Sequence, residues 1–145
     1  MIYYRISPQC TDSKSQQLYL TAQRTTNTVV VATSLSGDDR AQLWTPVVYI
    51  SGSNHGFVLL NAETNQVISA PGDNEPVILT TLDDMKRGTW AFNGQGHGAL
   101  QLQANTDMNL NVSGNGPYES NTKVSAWSWS RGQTNELWTF QRVPT

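Results

Sequence analysis

The chain has one cysteine, two histidines and few charges. A lone Cys10 cannot form an internal disulfide, so no disulfide framework holds the fold. A catalytic thiol needs an activating partner. Only His55 and His97 are available, and neither stands in a recognisable setting. Cys10 therefore reads as a small buried residue. Charged residues make up 14% of the chain, well under the ~25% of an average globular protein. The net charge is −2 and no cluster of Lys and Arg appears. That excludes nucleic acid as a natural partner, because its affinity comes largely from cations on phosphates. No run approaches the ~20 apolar residues of a membrane span, so membrane insertion is not expected. Residues 1–7 lack the apolar stretch and cleavage site of a secretory leader. The expected location is cytoplasmic, with release from the cell as the second reading. Without a leader, the sequon Asn111-Val112-Ser113 carries little weight.

Catalytic patterns are missing too. No HExxH, paired-cysteine motif or glycine-rich phosphate loop occurs. Glu63, Asp73, Glu75, Asp83, Asp84, Asp107, Glu119 and Glu136 are scattered, whereas a glycosidase needs two carboxylates flanking one bond. We expect no enzymatic activity, no metal and no cofactor.

What is present is a repeat. Trp44 in Ala41-Gln42-Leu43-Trp44-Thr45, Trp90 in Gly88-Thr89-Trp90-Ala91-Phe92 and Trp138 in Glu136-Leu137-Trp138-Thr139-Phe140 stand in similar phrases. Trp90 follows Trp44 by 46 residues, and Trp138 follows Trp90 by 48. Such a period means three copies of one unit. The polar residues are mostly Asn, Thr, Ser and Gln, a surface of neutral hydrogen-bonding groups that suits polyols such as sugars. With 37% hydrophobic residues and five Trp, the chain can build a core rather than remain disordered.

No stretch keeps a helical period. Short runs of β-branched and aromatic residues alternate between Gly, Asn, Asp and Pro. Four runs fall in each copy: residues 2–7, 17–22, 28–33 and 42–49; then 56–62, 66–70, 76–81 and 89–93; then 98–104, 109–112, 123–128 and 136–142. Residues 82–87 lack strand alternation and read as a helical turn. The inward face is marked by Leu18, Leu20, Val29 and Val31 in the first copy. In the second it is Val58, Leu60, Val67, Val77 and Leu79. In the third it is Leu100, Leu102, Leu110, Val112, Val124 and Ala126. Asn93-Gly94 and Asn115-Gly116 suit positive-φ turns. Residues 36–39, 71–74 and 113–116 read as loops, and Asp38, Asp39, Arg40 and Asp73 as solvated loop charges.

Three four-strand units, each closed by a Trp-bearing strand, describe an all-β chain with the β-trefoil fold. The expected form is a six-stranded barrel capped by hairpins, with pseudo-threefold symmetry. The repeats span roughly residues 1–50, 51–96 and 97–145 of one domain, 1–145. A β-sandwich is the rival architecture, and the period favours the trefoil. The terminal tryptophans read as core residues that identify the fold.

The repeat ends resemble those of the ricin B-type lectin family, whose copies close on Gln-x-Trp. Gln42-Leu43-Trp44 matches fully. Asn135-Glu136-Leu137-Trp138 has Glu for Gln, and Arg87-Gly88-Thr89-Trp90 keeps only the Trp. The resemblance implies a carbohydrate-binding protein for galactose or N-acetylgalactosamine-type glycans, similar to the defence lectins of mushrooms. It also implies where a sugar would sit. Asn111 holds the family's acidic position in Asn109-Leu110-Asn111-Val112, and Trp127 holds the ring-stacking position in Val124-Ser125-Ala126-Trp127. Asn135 holds the last polar position. Ser125 shares a strand face with Trp127 and is expected to face outward with it. Tyr118, in the loop 114–122, is a candidate pocket wall. An amide at Asn111 keeps an acceptor for a hydroxyl but loses the charge-assisted bond an Asp would make. A plain turn role for Asn111 stays open, as does subunit contact for Trp127 and Trp129.

The other copies offer Thr21 with Thr33, and Ser69 with Thr81, so neither has a ring. One main site per chain is expected, and a homodimer would add avidity. The second functional reading is a protease inhibitor presenting residues 34–40 or 113–122 to a protease cleft.

Overall fold

The computed structural model describes residues 1–36, 39–92 and 97–144. The expected Asn93-Gly94 turn, and Gly37 and Asp38 of the first loop, lie outside them. Thirteen strands are seen among the described residues: β1 Tyr4–Pro8, β2 Tyr19–Gln23, β3 Thr28–Ala32 and β4 Trp44–Ser51; then β5 Asn54–Asn61, β6 Val67–Ser69, β7 Glu75–Pro76, β8 Ile78–Thr80 and β9 Trp90–Phe92; then β10 Leu100–Leu102, β11 Met108–Val112, β12 Thr122–Ser128 and β13 Trp138–Arg142. The helical turn expected in 82–87 is the short 3-10 turn Leu82–Asp84. Two similar turns, Arg40–Gln42 and Thr134–Glu136, precede β4 and β13.

Six strands form a closed barrel. β13 pairs with β1, β1 with β4, β4 with β5, β5 with β9 and β9 with β10. The bridge between Ala99 and Leu137 closes the ring. The remaining hairpins, β2–β3, β6–β8 and β11–β12, cap one end. They meet one another where β3 pairs with β12 and with β8. This is a β-trefoil. Closure removes most free edges, and no copy buries its apolar face alone. The twelve expected strands are present. The thirteenth, β7, is a two-residue strand that the second repeat lends to β12.

The three tryptophans carry the symmetry. Trp44, Trp90 and Trp138 are buried, and each Nε1–H donates to a backbone carbonyl, of Leu20, Ile68 and Leu110 respectively, at 2.9, 3.3 and 2.8 Å. Each carbonyl lies on the second strand of its own repeat. A buried indole needs an acceptor, and the same one is found three times. Close approach between barrel strands also fixes two glycines. A Cβ on Gly56 would lie 2.3 Å from the Trp90 carbonyl oxygen, and one on Gly98 2.2 Å from that of Trp138.

Repeat two corrects the expected inward face. Leu59 and Ile68 join the central core, whereas Leu60 is only partly buried and Val58 and Val67, though buried, lie outside that cluster. Phe57-Val58-Leu59-Leu60 and Val67-Ile68 are apolar on both strand faces, so alternation cannot set their phase. The expected phase holds in the first and third repeats, where Leu18, Leu20, Val29, Val31, Leu100, Leu102, Leu110, Val112, Val124 and Ala126 are core residues.

The loop charges are not simply solvated. The Asp39 carboxylate accepts the Ala41 N–H at 2.9 Å and so caps the first 3-10 turn. Arg40 donates to the Ala62 carbonyl at 3.1 Å and lies over the Tyr3 ring. Asp73 pairs with Arg87 and accepts from Asn105 Nδ2 at 2.8 Å; the Arg87 hydrogen bond holds its carboxyl below the usual range. Asp38 lies outside the described residues. Cys10 is buried, and burial pushes its thiol up to about 11.

Candidate functional site

Register decides which residues share a place in each repeat. On β11, Asn111 follows the carbonyl that takes the Trp138 indole. Thr21 and Ser69 follow the carbonyls that take Trp44 and Trp90. All three are buried, at 5%, 5% and 6% exposure for Asn111, Thr21 and Ser69, but their polar atoms fare differently. Thr21 Oγ1 donates to the Tyr19 carbonyl and accepts from Gln42 Nε2. Ser69 Oγ donates to the Arg87 carbonyl. Asn111 Oδ1 is buried with no hydrogen-bond partner. An unfilled buried acceptor costs roughly 1–3 kcal/mol, so it marks a place where a ligand or water hydroxyl is wanted.

A second such atom lies beside it. Asn135, in the turn Thr134–Glu136, donates Nδ2–H to the carbonyl of Val112 at 2.9 Å and toward that of Gly114 at 3.5 Å. Those carbonyls fix the amide's orientation. Its Oδ1 is then left buried without a partner. Both asparagines line one concavity of about 180 Å³, with Gly114, Asn115, Trp127, Ser130 and Gln133. Trp127 supplies the ring and is 43% exposed. None of the seven residues is charged.

Three of the five expected site residues, Asn111, Trp127 and Asn135, are thus brought together. Two are not. Ser125 is only 2% exposed. Its backbone lies between Asn111 and Pro76, and its hydroxyl bonds with that of Ser113. It shares the strand parity of Trp127, but its side chain is buried beside Ser113 rather than open to the concavity. Tyr118 packs against the core, and its hydroxyl donates to the Gly114 carbonyl at 3.0 Å. It braces the loop from outside the concavity, and burial raises its phenol above the usual range. Trp129 does not continue the face of Trp127, because β12 ends at Ser128. Its ring lies beside Gly132.

Gly114, Asn115, Ser130 and Gln133 were not expected. Buried Glu136 shapes the wall at Ser130 and Gln133. Its carboxylate accepts the N–H groups of Ser130, Gly132 and Gln133 at 2.8–3.2 Å. Glu136 stands where the first repeat has Gln42, whose amide instead spans the Leu35 N–H and the Thr33 carbonyl. The change from Gln to Glu was the available signal: a carboxylate offers two acceptor oxygens and no donor, where an amide offers one acceptor and an NH2 that needs acceptors of its own.

The same register corrects the comparison between copies. Trp127 lies opposite Asn109, as Ala32 lies opposite Tyr19 and Thr80 opposite Val67. The counterparts of Trp127 are therefore Ala32 and Thr80, not Thr33 and Thr81. Neither has a ring. The second repeat has its own concavity, of about 290 Å³, whose lining includes Ser69, Ile78, Thr80, Asp84, Lys86 and Arg87. It is charged and has no aromatic wall. Among the described residues no group of three or more His, Cys, Asp and Glu is placed to hold a metal ion. No helix among them is long and apolar enough to cross a membrane.

No protein-family model and no curated protein sequence matches the chain. Solved structures do. The C-half of the earthworm R-type lectin, in complex with GalNAc, has a TM-score of 0.71 at 14% identity, covering 99% of this chain and 100% of that one. The Macrolepiota procera ricin B-like lectin, in complex with lactose, has a TM-score of 0.67 at 20% identity, covering 97% and 95%. A GlcNAcα1-4Gal-releasing endo-β-galactosidase from Clostridium perfringens has a TM-score of 0.76 at 12% identity; the match covers 99% of this chain and 33% of that one. At these identities the likeness shows the fold.

Proposed function

We propose that the chain is a carbohydrate-binding protein of the ricin B type that takes galactose or N-acetylgalactosamine-type glycans in the third-repeat concavity, without catalysis. The observation that carries this reading is the pair of unfilled buried amide oxygens, on Asn111 and Asn135, beside the exposed ring of Trp127. Each oxygen accepts one sugar hydroxyl, and the indole face receives the C–H patch of a galactose-type ring. A neutral lining suits a neutral sugar, with no ion pair to form or screen. Two lectins of the same fold are seen with GalNAc and with lactose, which supports the same sugar class. A lone shallow site binds weakly, so a homodimer would serve avidity and fit a defence role against glycan-bearing surfaces.

The test is a glycan array with the purified chain, with galactose, N-acetylgalactosamine and lactose as competitors, run beside Trp127→Ala. Selective, competable binding that the folded variant loses is the expected result. Unchanged binding by the variant would refute the site. A blank array together with inhibition of a protease through residues 113–122 would refute the function.

A further inference from the structure

The strand that carries Trp127 is not held by its own repeat alone. β12 pairs with β11 on one side. On the other, the second repeat supplies β7, which sets Pro76 opposite Ser125 and Glu75 opposite Ala126. Immediately before β7 stands Asn74. Its Oδ1 accepts two hydrogen bonds from Ser128, one from the backbone N–H at 3.1 Å and one from Oγ at 3.0 Å. Ser128 is the last residue of β12 and the neighbour of Trp127. One residue further back, Asp73 accepts from Asn105 Nδ2 at 2.8 Å. Four consecutive residues, Asp73 to Pro76, therefore grip the third repeat from the second.

We propose that Asn74 is a positioning residue for the glycan site: a strut from repeat two that fixes the end of β12 and with it the Trp127 ring over the concavity. The proposal rests on the sugar-binding reading above. The next tie after Ser128 is the longer bond from the Trp129 N–H to the Asp107 carbonyl, at 3.3 Å. Without Asn74, the strand end beside the half-exposed ring keeps its cross-strand pairing with Met108, that longer bond, and a bond from Ser130 Oγ to the Ser128 carbonyl at 3.3 Å. A stacking ring has to be held to about half an ångström by the groups behind it. Asn74 itself sits at φ 56°, a left-handed conformation that Asn and Asp tolerate better than most residues and Gly adopts freely. This allows the acceptor to be removed without backbone strain.

The experiment compares Asn74→Gly, which keeps the φ and loses the acceptor, with Asn74→Asp, which keeps both. Lactose affinity is measured by calorimetry. The Trp127 indole N–H resonance, assigned by its loss in Trp127→Phe, is followed without sugar. The account expects Asn74→Gly to bind lactose roughly fivefold or more weakly, with its Trp127 resonance broadened or shifted, and Asn74→Asp to stay within about twofold of the parent. Should Asn74→Gly not fold, Ser128→Ala removes the hydroxyl half of the strut and is expected to weaken binding in the same direction. Parent-like affinity in a folded Asn74→Gly would overturn the strut. If the parent itself binds no lactose, the sugar reading fails, and an unchanged Trp127 resonance in Asn74→Gly would overturn the strut independently.

Discussion

The residues that matter most at the candidate site are amides. Asn111 and Asn135 each keep a buried amide oxygen without a hydrogen-bond partner, and the Asn135 amide is held by two carbonyls that face its Nδ2. Replacing Asn111 with Ala removes an acceptor that nothing in the protein fills. The account therefore predicts little change in melting temperature and a loss of lactose affinity of about tenfold, the effect of one hydrogen bond made only in the complex. Calorimetry on the folded variant checks it; unchanged affinity would remove Asn111 from the site. Asn111, Trp127 and Asn135 were legible through the resemblance to the ricin B-type repeat, which implies a role at each of those positions. Ser130, Gln133, Gly114 and Asn115 were not. They lie on loops whose shape depends on the buried Glu136 carboxylate and on a turn, and no periodicity reports either. Ser125 was misread because strand parity tells which face a residue takes but not what lies against that face.

At the scale of elements, alternation and turn chemistry placed nearly every strand, with shifts of a few residues at the ends. They failed in β5 and β6, where consecutive apolar residues erase the phase, and they missed β7, which has two residues and exists only because β12 lies beside it. The turn into β10 shows how tightly the barrel closes. Gly98 has φ +88°, and a Cβ there would meet the Trp138 carbonyl oxygen at 2.2 Å, with both atoms fixed in backbone. Gly98→Ala is therefore expected to destabilise the fold by about 2 kcal/mol or more. This is measurable as a lower denaturant midpoint with an unchanged slope. A substitution at Gly114, also at positive φ but in open space, carries only the backbone strain and should cost less. Equal losses at the two positions would contradict the close-approach argument.

The whole molecule is a threefold frame with unequal copies. The Trp period made the frame legible from sequence, since three indoles at one structural position must find three equivalent carbonyls. Which copy offers the candidate site was legible only in part, because the choice rests on polar atoms being filled or left open. Gln42 fills the first copy's place through Thr21, and the Arg87 carbonyl fills the second through Ser69. In the third copy the acceptors stay open. The copies are also not independent, since residues 73–76 of the second hold the third. The central claim is thus a single sugar site per chain, in the third repeat. It is tested most directly by titrating lactose into isotope-labelled protein and following indole and side-chain amide resonances. The account predicts that the Trp127 indole and the Asn111 and Asn135 amides shift together along one saturating curve, while the buried indoles of Trp44 and Trp90 stay still. Shifts centred on the first or second repeat, or none at saturating lactose, would contradict it.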